Sequence, residues 1–224
     1  MNVIIFGASG MIGRGTLLEC LDDPGIERVL TIGRSPVPDQ HPKLRQISHS
    51  DFTDFSGIAD QLQGYDACFF CLGVSAAGMR EADYRRVTYD FTLAAARTLL
   101  PLNPDMTFVY VSGEGTDSSE QGRLMWARVK GKTENDLLAL GFRQAVMFRP
   151  GMILPLRGIR SKTPSYQFFY SYFSWLLRAI MAVFPNAATD TTRLGRAMIT
   201  VARDGSPQVI LRNPDINALG QSGE

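Results

Sequence analysis

The stretch Asn2–Gly15, NVIIFGASGMIGRG, decides the fold. Val3, Ile4, Ile5 and Phe6 form an unbroken apolar run, which predicts a strand buried on both faces of a parallel sheet. Gly7, Gly10 and Gly13 follow at intervals of three, and Thr16 to Leu21 can continue as a helix. Strand, glycine loop and helix in this order suit a pyrophosphate, because a helix N-terminus carries unpaired N–H groups and a partial positive charge. Gly7 lets the chain turn sharply, Gly10 lets the backbone approach phosphates, and Gly13 lets the helix pack close to the strand. Ser9, Met11 and Ile12 complete the expected contacts of the loop and first turn. A tight loop before an ordinary helix is the plainer reading, and the flanking strand and helix favour the phosphate cradle over it.

With 224 residues, 45% of them hydrophobic and 20% charged, the chain fits one globular domain with a sizeable core. A net charge of +1 offers no electrostatic footprint for nucleic acid, so none is expected as a partner. The N-terminus opens on the core strand without a basic region, apolar stretch and cleavage site, which predicts a cytoplasmic location. The count of three cysteines argues against a disulfide framework. Cys68 and Cys71 have CxxC spacing, yet within the strand expected there they point to opposite faces, so neither a shared metal nor a disulfide is predicted. His41 and His49 are the only histidines, and no metal site is expected.

Outward from the glycine loop, Arg28 to Gly33 reads as a second strand, and Arg34 follows it directly. In dinucleotide folds an acid at this point binds the ribose 2′-hydroxyl of NAD, whereas an arginine accepts the 2′-phosphate of NADP. Here Gly33-Arg34-Ser35 brings no carboxylate before Asp39, so NADP(H) is the expected cofactor. The plainer reading of Arg34 is a solvated surface residue. Arg14 is a second, weaker phosphate candidate.

Leu44 to Ser48 reads as a third strand, and Asp51-Phe52 leads into a short helix through Ile58 and Leu62. Asp51 either caps that helix or faces the adenine edge. Asp66 to Leu72 is a fourth strand, ending in Leu72-Gly73 where backbone can approach the cofactor. A long helix is predicted over Glu81 to Leu100, stopped by Pro101 and Pro104. A fifth strand over Met106 to Ser112, a helix over Arg123 to Leu140 and a sixth strand over Gln144 to Phe148 follow, the last leading into Arg149-Pro150-Gly151. This alternation predicts an α/β fold, a doubly wound parallel sheet (Rossmann fold) with ligands at the carboxyl ends of its strands. Gly7, Arg34, Asp51, Gly73, Ser112 and Pro150 all fall at such ends. Residues 1–150 form the expected nucleotide-binding core and residues 151–224 a small C-terminal, substrate-side lobe within the same domain.

These residues together resemble the short-chain dehydrogenase/reductase superfamily. The spaced glycines, a serine ending strand five, a lysine on the next helix and a Pro-Gly after strand six carry the likeness. Within it the chain is similar to the Tat-interacting-protein-like oxidoreductase group, through IGR at Ile32–Arg34, DF at Asp51-Phe52, CLG at Cys71–Gly73, VKGKTE at Val129–Glu134 and FRPG at Phe148–Gly151. The resemblance covers nearly the whole chain. It implies hydride transfer with NADP(H), in which Ser112 orients a substrate carbonyl and Lys130 holds the nicotinamide ribose. It also implies a tyrosine four residues before that lysine, and this chain has Trp126 there. Trp126 and Lys130 share a helix face, but an indole only donates hydrogen bonds and exchanges no proton near neutral pH. Glu114, two residues past Ser112, Tyr84 and Tyr166 are the candidate substitute acids. Three readings follow: an oxidoreductase acting on a small apolar carbonyl or alcohol, a non-catalytic NADP(H) sensor or scaffold, and an epimerase or isomerase that retains its cofactor.

Tyr166 to Phe184, YQFFYSYFSWLLRAIMAVF, reads as an aromatic helix between Pro164 and Pro185. Gln167, Ser171, Ser174 and Arg178 form one narrow polar stripe, so the remaining surface needs cover. A cap over an apolar substrate or a homo-oligomer interface ranks ahead of membrane contact, since the stripe carries a single basic residue. Thr192 to Ala202 then reads as an amphipathic helix and Gln208 to Leu211 as a closing strand.

Overall fold

The apolar run that opens the chain becomes β1 (Asn2–Phe6), with Val3 opposite Val29 on one neighbour and Ala67 on the other. The structure is a computed structural model that describes residues 1–159 and 187–221. The aromatic stretch 166–184, with Tyr166, lies outside the described residues. After β1 come α1 (Met11–Asp22), β2 (Arg28–Gly33), β3 (Leu44–Ser48), a 3-10 turn (Ser56–Leu62) and β4 (Ala67–Phe70). A helical run follows as α2 (Glu81–Arg85), a π turn (Arg86–Asp90) and α3 (Phe91–Leu102). β5 (Thr107–Val111), α4 (Met125–Ala139), β6 (Gln144–Arg149) and β7 (Met152–Leu154) come next. β8 (Ala188–Asp190), α5 (Thr191–Asp204), β9 (Ile210–Arg212) and α6 (Asn213–Gln221) close the described chain.

Seven strands form one parallel sheet in the order β3-β2-β1-β4-β5-β6-β9. Strand alternation divides the apolar side chains between two faces. Val3, Ile5, Phe69, Val109 and Val146 pack with Leu17 of α1 and Met198 of α5. Ile4, Phe6, Phe70, Phe108 and Met147 pack with Leu93 and Leu99 of α3 and Leu137 of α4. Each fully buried side chain of this size contributes about 1.5–3 kcal/mol, and burial on both faces explains why the strands read as continuous apolar runs. Cys68 faces the second cluster and Cys71 packs against the first, on opposite faces as the strand spacing predicts, and all three cysteines are free.

The order reverses between β1 and β4: β2 and β3 lie to one side of β1, and β4, β5, β6 and β9 to the other. Crossover connections therefore diverge there, which leaves a crevice beyond the carboxyl ends of β1 and β4. β9 and α5 realise the closing strand and amphipathic helix expected from the sequence, whereas the separate two-stranded sheet of β7 and β8 had no sequence signal.

Two expectations need correction. The helix over 81–100 is interrupted by the π turn, and it ends at Leu102 rather than before Pro101. A proline in the last turn forfeits only its own N–H bond, and Asn103 finishes the helix, its side chain donating to Leu99 O at 3.2 Å and Leu62 O at 2.9 Å. Asp51 does not cap the 3-10 turn, which starts after Phe55; its carboxylate instead accepts from Thr53 N at 2.9 Å and closes its own tight turn.

Candidate functional site

The glycine loop is shaped by backbone contacts. Gly7 has a φ of +78°, and a Cβ there would sit 2.7 Å from Cys71 C and Leu72 N, so only glycine lets β1 pass the end of β4. A Cβ on Gly13 would overlap Gly7 O and push α1 off the loop. Gly10 is the N-cap, with its N–H donating to Gly7 O at 2.9 Å and its carbonyl accepting from Arg14 N at 2.8 Å. The amides of Met11, Ile12 and Gly13 therefore have no acceptor inside the helix. No side chain caps this end and the first turn has no acid, so its partial positive charge is uncompensated. The Met11 and Ile12 side chains pack on the core, which leaves their N–H groups as the part that can meet a ligand.

A cavity of about 520 Å³ opens over this helix end. Of the expected cofactor residues, Gly7, Ser9, Gly10, Arg34, Phe52, Leu72 and Gly73 line it. Thr31, Val37, Val87 and Phe91 also line it without having been singled out as cofactor residues. Arg34 is exposed at the rim, and no hydrogen bond or ion pair engages its guanidinium among the described residues. The carboxylate of the same loop, Asp39, is taken by an ion pair with Arg14. Gln46 fixes that loop, accepting from Val37 N at 2.7 Å and donating to Asp39 O at 3.2 Å. Asp51 and Pro150 do not line the cavity. Thr53, through its hydroxyl and then its amide, holds the Asp51 carboxyl below the usual carboxylate range, and the Pro150 carbonyl accepts from Glu114 N at 2.9 Å.

A second chamber of about 430 Å³ is lined by Val74, Ser75, Ala76, Ala77, Tyr84, Trp126 and Lys130. Val74 and Ser75 line both spaces, so the chambers adjoin. Trp126 and Lys130 share one wall, as their spacing on α4 requires. Burial lowers the Lys130 ammonium to about 8, with the Glu134 carboxylate opposing the shift. Its Nζ donates to the carbonyl of Ser112. The Ser112 hydroxyl donates to Phe148 O at 3.1 Å, and Ser112 is absent from the chamber lining, so this geometry gives it a part in holding Lys130. Glu114 is half exposed and accepts from Arg212 Nη1 at 2.8 Å.

The VKGKTE and FRPG strings explain each other in three dimensions. Glu134 of α4 and Arg149 of β6 form an ion pair with side chains only 1% and 6% exposed, Arg149 Nε donating to both carboxylate oxygens at 3.1 Å. Arg149 also donates to the Ser118 hydroxyl. At Gly131 a Cβ would overlap Asp117 O, so glycine lets the 117–118 loop lie on α4. Together they fix the helix that carries Trp126 and Lys130 against the sheet.

No protein-family model matches the chain. Rat HTATIP2 is 28% identical over 232 residues, covering 100% of this chain and 90% of the relative. The mitochondrial protein fmp52 of Aspergillus clavatus is 30% identical over 159 residues, covering 68% of this chain and 66% of the relative. Among solved structures, a short-chain dehydrogenase family protein from Francisella tularensis superposes with a TM-score of 0.68 at 14% identity, covering 95% of this chain and 97% of that one. The enzyme WbmF of Bordetella bronchiseptica, solved in complex with NAD+, superposes with a TM-score of 0.67 at 17% identity, covering 98% and 76%. The parallel sheet with its switch-point cavity and the glycine loop agree with these superpositions: the chain has the Rossmann fold of the short-chain dehydrogenase/reductase structures it matches, and it is similar to HTATIP2 along its whole length.

Proposed function

We propose that the protein binds NADP(H) in the larger cavity and uses it as an oxidoreductase on a small apolar carbonyl or alcohol held in the adjoining chamber. The observation that carries this is the state of the two arginines: among the described residues Arg34 meets no partner at the rim, while Asp39, the acid that could have met a ribose 2′-hydroxyl, is bound by Arg14. A free guanidinium with no competing carboxylate favours a 2′-phosphate. The residues fit the cofactor: unpaired amides at Met11–Gly13 suit a pyrophosphate, and Gly7 and Gly13 are positions where a Cβ would close the cradle.

Bound NADP(H) supplies or accepts a hydride. The chain's own part is to exclude water, present Lys130 as a cation to the ribose and to developing negative charge, and offer an apolar wall of Val74, Ala76, Ala77 and Trp126 to the substrate. Residues 1–150 hold the nucleotide in this reading, and residues 151–224 contribute substrate cover. A homo-oligomer through 166–184 and a cytoplasmic site of action belong to the same proposal. Among the described residues no helix is long and apolar enough to cross a membrane, and the fungal relatives carry the word mitochondrial in their names.

Trp126 favours a second reading, a non-catalytic NADP(H) sensor, because it removes the expected proton donor. Calorimetric titration with NADPH and NADH, followed by NADPH-oxidation assays on a panel of small ketones and aryl aldehydes, separates the two. Preferred NADPH binding with turnover is the expected result. Tight binding without turnover, unchanged by Trp126→Tyr, would select the sensor, and binding of neither nucleotide would sink both.

A further inference from the structure

We propose that the phenol of Tyr84, carried on α2, is the proton-exchanging group of the second chamber, replacing from a different helix the tyrosine whose position Trp126 occupies. The inference rests on the oxidoreductase reading and names the acid which that reading lacks.

A proton donor has to reach the reacting oxygen directly or through one water, so it has to line the chamber. Among the described lining residues only Ser75, Tyr84, Trp126 and Lys130 carry N–H or O–H protons on their side chains. Ser75 Oγ accepts from Ala77 N at 3.3 Å, and an aliphatic hydroxyl does not ionise near neutrality. The indole only donates. The Lys130 amine is directed to the Ser112 carbonyl. Ser112 and Glu114 are committed to Phe148 O and Arg212. Tyr84 is the phenol that remains, and as a phenol it can both give and take a proton.

Its setting suits the task. The ring is 2% exposed, so packing fixes its direction. One helical run serves both chambers: Tyr84 lines the second, while Val87 and Phe91, on either side of the π turn's end, line the first. π turns inside helices are frequent at functional sites. Lys130 stands in the same chamber, where its ammonium would stabilise a phenolate. Burial raises the phenol above its ordinary value and the Thr88 hydroxyl opposes this, so the phenol stays protonated at neutral pH, as a donor requires.

In the reducing direction the carbonyl carbon gains the hydride that NADPH supplies, and the C=O π pair moves to oxygen. That oxygen takes the proton of the Tyr84 O–H, whose bonding pair stays on the phenolate opposite Lys130. Water then reprotonates the phenolate, so the balance is carbonyl plus NADPH plus one proton to alcohol plus NADP+.

The test compares native protein with Tyr84→Phe, which keeps the ring. Tyr84→Phe is expected to leave the NADPH Kd within about twofold and to lower kcat on the carbonyl panel by about a hundredfold or more. Tyr84→Phe turning over within about threefold of native overturns the proposal while leaving the oxidoreductase reading intact. A readout independent of turnover is the Lys130 titration, followed by NMR with lysine labelled at Cε and assigned through Lys130→Met. The proposal requires the Tyr84 hydroxyl to face the Lys130 ammonium across the chamber they line, so its removal should lower the Lys130 midpoint, and an unmoved midpoint overturns the proposal. Should the native protein turn over nothing, the oxidoreductase reading fails, and the pairing of Tyr84 with Lys130 is judged on that titration alone. If Tyr84→Phe does not fold, an ortho-fluorinated tyrosine at position 84, which keeps the shape and acidifies the phenol, should move a limb of the pH–rate profile to lower pH; an unmoved profile overturns the assignment.

Discussion

On the proposed reading, the guanidinium of Arg34 would favour NADP(H) over NAD(H). Removing it with Arg34→Ala should weaken NADPH by about one to two orders of magnitude, since a charge-assisted hydrogen bond contributes about 1.5–3 kcal/mol, and leave NADH nearly unchanged. Calorimetry with both nucleotides reads the difference; equal losses would mean that Arg34 supports the loop rather than a phosphate. Gly13 acts sterically. Gly13→Ala drives a methyl into Gly7 O, so the first turn of α1 must shift. We expect a loss of about 1–3 kcal/mol in urea unfolding together with loss of nucleotide binding. Lys130 adds a pH dependence. Its folded value, lowered by burial to about 8, lies below the unfolded value of about 10.4, so between them the unfolded chain binds more protons and this group's contribution to stability rises with pH. The buried thiols Cys20, Cys68 and Cys71, pushed up by burial, act with the opposite sign above about pH 8.5. The clean measure is native minus Lys130→Met: that stability difference should shift in favour of native from pH 8 to 10, and a flat difference would mean the amine is not desolvated. The steric role of Gly13 was legible in the sequence because close backbone approach demands a glycine at a fixed offset. The turn of the Ser112 hydroxyl toward Phe148 was not, because it depends on how β5 meets β6.

At the scale of elements, α4 is the one whose anchoring decides the site. Its buried Glu134–Arg149 pair is weak evidence for net stability, because desolvating both charges offsets much of their attraction. Breaking it is a different matter. Glu134→Ala leaves a buried guanidinium uncompensated and should cost about 3–5 kcal/mol, read by denaturant unfolding. Because α4 also carries Trp126 and Lys130, the same variant should lower nucleotide affinity; a cost below about 1 kcal/mol would show that water or Ser118 compensates Arg149. The strings containing Glu134 and Arg149 are visible as motifs, yet nothing in their spacing says that they meet. The π turn was equally hidden, because hydrophobic periodicity over 81–100 fits a plain helix.

At the scale of the whole molecule, the sheet reversal joins two halves through the ligand space, with β1 and β2 on one side and β4 with the helical run after it on the other. A ligand touching both should stabilise the fold as a unit. At a hundred times its Kd, NADPH should add about 2.7 kcal/mol, a rise in Tm of several degrees, checked by calorimetric scanning at rising concentration. No rise with NADPH would contradict the nucleotide site itself. The sequence alone determined the layered α/β fold, because continuous apolar strands alternating with helices have few other ways to bury both faces. It determined the glycine loop for the same kind of reason, glycines being required where a Cβ would overlap backbone. Only the tertiary structure decided that Arg14 occupies Asp39, that Glu134 meets Arg149, and that Tyr84 shares a chamber with Lys130 and Trp126. Those are contacts between segments distant in sequence, fixed by how the layers pack rather than by any local pattern.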